Sequence, residues 1–458
     1  MAPRISLCLI ARNEEAMLPD CLASIRGAAD EVVLVDTGSS DRTIAIARSA
    51  GARVLEQPWN DDFSAPRNLA LEHATGDWIL QLDADERLAP GAAGVIRHAV
   101  GAQGADALFL RLHDAQRADA PLEDVVSGAA RRGDPISLMR LFRRLRGVRY
   151  RGAIHESVGD SLAERRARFA SVPADVVHAG GAPDVRARLA KQARNVAILR
   201  RCCQEEPDDA TWYGYLAMEL QASGSEAEAQ DVAERGWSVI DRQPRFRSLN
   251  RLAIARAMIA LNGRAPATAL ETIAVLERRQ RVLGSDALML GGIAHLQLAL
   301  DASGDARRQH AEMASDALRG ALARGGDPEQ LIPGSSSWAS SAHLGTARLL
   351  ARDFAGALEA FRAHRRDPED AGVSLGVAEC QLELGDPAAA AKQLSASLLD
   401  GRPDGWVLAA RTAHAVGATA DARALLAEAH RRLPAGFLAP HRREAAQQLA
   451  DALGATHR

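Results

Sequence analysis

The sequence predicts an α/β domain with a mainly parallel sheet, followed by an all-α region of repeated helices. Three observations carry this reading. Before residue 185, short runs rich in Val, Ile and Leu alternate with amphipathic stretches. After it, no strand signal survives, and Ala-, Leu- and Arg-rich helical patterns follow one another between short stops. Within the first part, the apolar run of Trp78, Ile79, Leu80 and Leu82 breaks at once into Asp83, Asp85 and Glu86.

Taken in order, Ile5–Ile10, Glu31–Val35, Arg53–Glu56, Trp78–Leu82 and Ala107–Leu112 read as strands. Leu18–Ile25, Arg42–Ala50, Ser64–His73 and Gly91–Val100 read as the helices between them. Such β-α-β alternation implies a sheet covered on both faces. Ser64 is the expected N-cap of its helix, with Pro66 in the first turn where a missing N–H costs little. Residues 113–135 lose the periodicity and are expected to form a long, mobile surface connection.

In the second half, stops recur at Gly224, Gly263, Gly304, Arg352, Gly385 and Gly417. The last three lie 33 and 32 residues apart, near the 34-residue tetratricopeptide period. Ala355–Phe361 and Ala388–Leu394 supply the small and apolar residues of a second repeat helix. Residues 324–342 interrupt the array and read as a loop. An irregular helical bundle is the alternative. The expected domains are 1–185 and 186–458.

At 458 residues, two or three domains are expected. A net charge of -3 argues against nucleic-acid and anionic-membrane binding. The five cysteines form no Cys-x-x-Cys pair, which points to a reducing, cytoplasmic compartment with the thiols as small core residues. The apolar run near the start is too short for a signal peptide, and no membrane span is predicted.

The chemistry is expected at the carboxyl ends of the strands, where open α/β sheets bind ligands. Two carboxylates at a strand exit, Asp83 and Asp85, can hold a hard divalent cation, and such a cation neutralises a diphosphate. Gly-x-Gly-x-x-Gly and phosphate-loop lysine motifs are absent, which disfavours dinucleotide and P-loop chemistry.

Four blocks in register carry a more specific likeness. They are Ile5–Glu15 with Asn13 and Glu14, Asp30–Thr43 with Asp36 and Asp41, Trp59–Asn68 with Asp62 and Arg67, and Gly76–Glu86. Over about 90 residues this order and spacing resemble the family 2 glycosyltransferases of GT-A fold. The chain looks most like the branch with a C-terminal tetratricopeptide region, which includes the sublancin-type peptide S-glycosyltransferases.

The resemblance implies an inverting, metal-dependent transfer of a sugar from a nucleoside diphosphate donor, most simply UDP-linked, with Mn or Mg as the metal. It places Asp36 on the uracil ring, Glu14 on the nucleoside, and the backbone of Ala11 and Arg12 along the base pocket. It also puts Arg67 near the diphosphate, Asp83 near the ribose and metal, and Asp85 on the metal. Each residue has a plainer alternative. Asp36 or Asp41 can close an Asx-turn, Glu14 can serve the helix dipole, Ala11 and Arg12 can be an ordinary turn, and Arg67 can be a surface cation. Asp62 and Asn68 can simply hold their turn, and Glu86 can support the acidic one.

The segments Ser137–Arg143 and Arg151–Val158 resemble the family's "Arg-Leu-Phe-Arg … His-Glu" stretch. Glu156 is the candidate base for the acceptor proton, with His155 as its neighbour or as a metal or phosphate contact. A hydrogen-bonded structural pair is the alternative. His178 is a third metal ligand, a phosphate contact or a structural histidine, and Gly180-Gly181 reads as a turn. Arg131, Arg132, Arg143 and Arg144 read as solvated charge rather than phosphate contacts.

The helical array is expected to bind a peptide or protein acceptor, or to pair two copies into a homodimer. Other readings are a transferase for a saccharide or lipid acceptor, a non-catalytic binding protein with a degenerate sheet domain, and a nucleotidyltransferase. Donor sugar, acceptor atom and oligomeric state are not encoded in these motifs.

Overall fold

A computed structural model describes residues 2–102, 104–180, 191–243, 248–280, 282–324, 331–332, 334–364, 370–395, 398–399, 404–432 and 440–454. Two compact units divide it, Met1–Leu252 and Ala253–Arg458. The sequence-expected boundary at residue 185, and Gly181, lie outside the described residues.

In the first unit the strands are β1 (Ile5–Ala11), β2 (Glu31–Asp36), β3 (Arg53–Glu56), β4 (Trp78–Gln81), β5 (Glu86–Leu88), β6 (Ala107–Asp114), β7 (Ile136–Arg143) and β8 (Phe169–His178). They form one sheet in the order β3-β2-β1-β4-β7-β6-β8-β5. The pairs β1–β2, β1–β4, β2–β3 and β6–β8 are parallel. The sheet is nevertheless mixed, because β7 runs antiparallel to β4 and β6, and β5 antiparallel to β8.

Alternate side chains of each strand enter opposite cores, which is why the parallel strands are apolar throughout. Ile5, Leu7 and Leu9 pack with α1 (Leu18–Ser24) and α4 (Ala92–Gly101) on one face. Cys8, Val33, Val35, Ile79 and Phe142 pack with α3 (Ser64–His73) on the other. Short α2 (Thr43–Ser49) follows β2. Glu31 ties the sheet's entry edge, accepting from the Ser6 hydroxyl, from Thr75 N at 2.6 Å and from Gly76 N at 3.2 Å. All five cysteines are buried and unpaired, and burial pushes the Cys8 thiol up to about 12.

Three local expectations are corrected. Ser64 is the first residue of α3 rather than its N-cap, a position Phe63 holds, and it is Asp62 Oδ1 that accepts from Ser64 N at 2.7 Å and Ala65 N at 3.3 Å. Residues 113–135 are structured. Strand β6 runs on to Asp114, α5 (Leu122–Ser127) follows, and Val125 is buried with Ala115 and Val177. A helix of six residues is too short to show a period in sequence. The loop expected over 324–342 ends sooner, since a helix begins at Trp338; 325–330 and 333 lie outside the described residues.

After α6 (Gly159–Ala163) the unit continues with α7 (Lys191–Glu205), α8 (Ala210–Ala222) and α9 (Glu226–Trp237), and the division falls within α10 (Asn250–Asn262). The second unit holds α11 (Pro266–Arg279), α12 (Ser285–Asp301), α13 (Gly304–Ala323), α14 (Trp338–Leu350), α15 (Phe354–Ala363), α16 (Ala371–Glu383), α17 (Pro387–Gln393), α18 (Gly405–Ala415), α19 (Thr419–Arg432) and α20 (Pro440–Ala452). The stops seen in sequence are left-handed turns. Gly224, Gly304, Arg352, Gly385 and Gly417 all have positive φ, and at the Gly263 stop it is Arg264 that turns. Asp353, Asp370 and Asp386 then cap the next helices. The ring of Phe361 is held between Gly345 and Gly376, where added Cβ atoms would strike it.

Candidate active site

The carboxyl ends of β1, β2 and β4 meet at one edge, with Ala11 beside Asp36 in parallel register. There the β1 and β2 exits are sewn together. Ser40 N donates to Asn13 Oδ1 at 2.8 Å, and Asn13 adopts φ +56°. Asp41 caps α2 through Thr43 N at 2.9 Å. The Ala11 carbonyl accepts from Thr37 N at 2.9 Å, so this residue holds the turn. Glu14 offers its carbonyl to Leu18 N at 2.9 Å at the start of α1 and its N–H to Thr43 Oγ1 at 2.8 Å.

Asp36 closes the turn that was its plainer alternative and leaves one oxygen unused. Its Oδ2 accepts from Gly38 N and Ser39 N, each at 2.9 Å, which is the Asx-turn. Its Oδ1 is buried and has no hydrogen-bond partner among the described residues. Asp36 lines a cleft of about 360 Å³ with Arg12, Thr37, Gly38, Glu56, Gln57, Pro58 and Trp59. A buried carboxylate oxygen without a donor is costly unless a ligand supplies one.

At the end of β4 the acids separate by role. Asp83 Oδ1 accepts from Arg67 Nη2 at 2.7 Å, and Arg140 Nη2 lies 3.4 Å from Asp83 Oδ2. Burial opposes ionisation of Asp83, but these two guanidinium groups hold it well below the usual carboxylate range. Arg67, buried on α3, also pairs with Glu156, so one guanidinium joins the acidic strand exit to the candidate base. With its amide oxygen turned toward the arginines, Gln81 accepts from Arg140 Nη1 at 3.0 Å and Arg67 Nη1 at 3.3 Å, and donates to the Tyr150 hydroxyl at 2.9 Å. Glu86 supports the turn, accepting from Asp83 N at 3.1 Å and pairing with Arg140. Burial, with Asp83 and Asp85 nearby, pushes Glu86 up to about 7 against the pull of Arg140.

Asp85 points the other way, toward β8. Its Oδ2 lies 3.5 Å from His178 Nε2, and His178 Nδ1 lies 2.8 Å from Asp114 Oδ1. Burial disfavours the imidazolium, yet the bonds to Asp114 and Asp85 outweigh it and push His178 up to about 10. Gly180 is required here, because a Cβ at that position would overlap the Asp85 carboxylate. Among the described residues there is no group of three or more His, Cys, Asp or Glu arranged for a metal ion. Asp85, together with His178 once that imidazole has lost its proton, could hold a divalent cation that draws its other ligands from a diphosphate and water. The Asp114 contact is the carboxylate that ligating histidines commonly carry on their other nitrogen.

The loop bearing the candidate base is closed by mutual backbone bonds between Arg151 and Ser157 at 3.0 and 3.1 Å, and Ala153 O accepts from Phe63 N at 2.8 Å. His155 within it has φ +52° and is exposed. Its ring stacks on Tyr215 of α8 at 3.8 Å and 10°, and Arg251 of α10 lies 4.0 Å over the same tyrosine.

Sequence reading assigned no role to Arg140, Gln81, Tyr150, Asp114, Trp59, Tyr215 or Arg251, although Arg140 and Trp59 stand in the blocks that carry the resemblance. A lone Arg140 inside the apolar run Leu138–Phe142, and a lone Gln81 ending β4, were the available signals. Tyr215 and Arg251 carry none, since their helices join the sheet domain only in three dimensions. Asn68 does not hold its own turn but ties α3 to the Tyr150 segment, bonding both ways with the Tyr150 backbone at 3.0 and 2.8 Å. Arg131 and Arg144 serve the framework, donating to Gly133 O and Gly76 O, and Arg143 lies in an ion pair with Asp106 at 3.4 Å.

Residues 6–123 match the sequence profile of the family described as Glycosyl transferase family 2, and residues 348–413 match that of the Tetratricopeptide repeat. A TPR repeat-containing protein of Synechococcus elongatus is 35% identical over 259 residues, covering 55% of this chain and 61% of its own length. The SPbeta prophage-derived glycosyltransferase SunS of Bacillus subtilis is 25% identical over 235 residues, covering 51% of this chain and 53% of its own length. The chain thus spans less than two thirds of either relative. Of solved structures, S. aureus TarS in complex with UDP-GlcNAc is 16% identical, with a TM-score of 0.35, covering 61% of this chain and 91% of that one. No helix among the described residues is long and apolar enough to cross a membrane. Residues 6–123 of this chain belong to a family 2 glycosyltransferase domain, and residues 348–413 of the helical region carry a tetratricopeptide repeat.

Proposed function

We propose that the chain transfers a sugar, with inversion and with the help of a divalent metal, from a UDP-type donor to a peptide or protein acceptor. The observation that carries the donor reading is Asp36 Oδ1, buried without a partner in the cleft beside Arg12 and Trp59. A uracil ring offers an imide N–H that suits such a carboxylate oxygen. Asp83, with Arg67 and Arg140, forms the ribose and diphosphate side of the site.

Asp85 with His178 would hold Mn or Mg, with Asp83 close by; the metal would neutralise the diphosphate. Arg67 contributes the same kind of stabilisation to the leaving group from the protein side. Glu156, kept near Arg67 by its ion pair, takes the acceptor proton. The repeat region supports an acceptor of peptide or protein class, because stacked helix pairs present extended binding surfaces.

Calorimetric titration of UDP and UDP-glucose, with manganese and with chelator, tests this on the wild type, Asp36→Asn and Asp85→Ala. The expected result is metal-dependent binding that Asp85→Ala abolishes and Asp36→Asn weakens at least tenfold. Wild-type protein that is folded and binds neither nucleotide would overturn the donor assignment. Mass spectrometry of candidate peptides after incubation with the donor tests the acceptor class.

A further inference from the structure

We propose that helix α7, beyond the family-matched residues 6–123, clamps the wall of the nucleotide cleft, with Arg194 positioning Trp59 and Arg201 holding Asp61. This inference rests on the nucleotide reading of the cleft and extends it to a second part of the chain.

The wall is the segment from Glu56 to Trp59, with Trp59 its large flat member, and the chain runs on from there through Asp61 to Phe63. Trp59 meets Phe63 edge to face at 4.7 Å and donates from Nε1 to Asp61 Oδ1 at 2.8 Å. Asp61 stands at φ +60°, a left-handed conformation uncommon outside glycine and one that benefits from restraint by its surroundings. Helix α7 supplies that restraint. Arg201 Nη2 donates to the Asp61 carbonyl at 2.5 Å. Two turns earlier on the same helix face, the Arg194 guanidinium lies 5.0 Å from the Phe63 ring centre and 6.0 Å from that of Trp59. Cation and ring pairs of this kind have sizeable reach only when both partners are held, and α7 fixes one of them.

A base or ribose entering beside Asp36 meets Trp59, so the angle of the indole sets how much of it is covered. Arg194 therefore acts through Trp59 and needs no contact of its own with the nucleotide.

The test uses full-length protein, UDP as the probe and manganese throughout, in a calorimetric double-mutant cycle of Arg194→Ala and Trp59→Ala. Arg194→Ala is expected to weaken UDP about two- to fivefold, the size of an exposed cation–π contact. Arg194→Lys should recover part of it, and adding Arg201→Ala should bring the loss to about tenfold. In the Trp59→Ala background, Arg194→Ala should cost nothing further. Unchanged affinity in Arg194→Ala would overturn the clamp, and full additivity with Trp59→Ala would do so too, pointing to direct contact instead. If the wild type does not bind UDP, the nucleotide reading itself falls; if it binds and the variants match it, only the clamp falls.

Discussion

Arg67 Nη2 donates to Asp83 Oδ1 at 2.7 Å, joining helix α3 to the acidic exit of β4. The same guanidinium pairs through Nε with Glu156, so a single buried cation sets the distance between the proposed donor side and the proposed base. Removing it leaves the mostly buried Glu156 without this cation and Asp83 with Arg140 alone. Arg67→Ala should destabilise the protein by about 3 kcal/mol in urea unfolding. It should also lower any sugar transfer at least a hundredfold. Arg67→Lys keeps the charge but cannot serve both acids in the plane of one fork, so stability should recover more than activity.

Gly180→Ala probes the Asp85 corner. The new methyl group would occupy the space of the Asp85 carboxylate and push it away from His178. Manganese-dependent stabilisation, read as a shift in melting temperature, should disappear, while the melting temperature without metal falls by only a few degrees. Retained manganese response would argue against Asp85 as a metal ligand.

Glu31 makes stability depend on acid. Burial works against its charge, but donors from Ser6, Thr75 and Gly76 lower its pKa below the ordinary 4.5. A carboxyl group whose folded pKa is depressed adds stability above its unfolded value and loses it as pH falls through the folded one. That contribution is therefore complete at neutral pH and fades below about 4.5. Urea midpoints measured from pH 7 down to 3 should fall less steeply for Glu31→Gln, which should already be weaker by about 1–3 kcal/mol at pH 7.

In the helical unit, Phe361 tests packing. An alanine at Gly345 would put its Cβ 2.5 Å from the Phe361 ring, and one at Gly376 would also strike it. Either substitution should cost about 1–3 kcal/mol of helical-unit stability. UDP binding should be unaffected. A double variant with Phe361→Leu should restore part of the loss, as a smaller side chain makes room.

Strands β1 to β4 and β6 and helices α1 to α4 were legible because each carries its own period, whereas β5, α6 and β8 were not. Ile5–Ala11 and Trp78–Gln81 are apolar on both faces, and Ser64–His73 begins and ends at the predicted residues. Helix α5 was not legible, for six residues show too little periodicity. Strand β7 was read only as a motif, since nothing local says which neighbour an apolar run will join or in which direction.

By itself the sequence determined the order of elements, the left-handed stops of the helical array, and the acids and cations that gather at the strand exits. These depend on local patterns of polarity, turn chemistry and charge, which the chain displays residue by residue. Tertiary structure alone decided how the charges pair. It put Arg67 between Asp83 and Glu156, turned Asp85 toward His178, left one oxygen of Asp36 without a donor, and stacked Tyr215 on His155. Such contacts span tens of residues, and their partners are chosen by strand order and helix packing rather than by any neighbour in sequence.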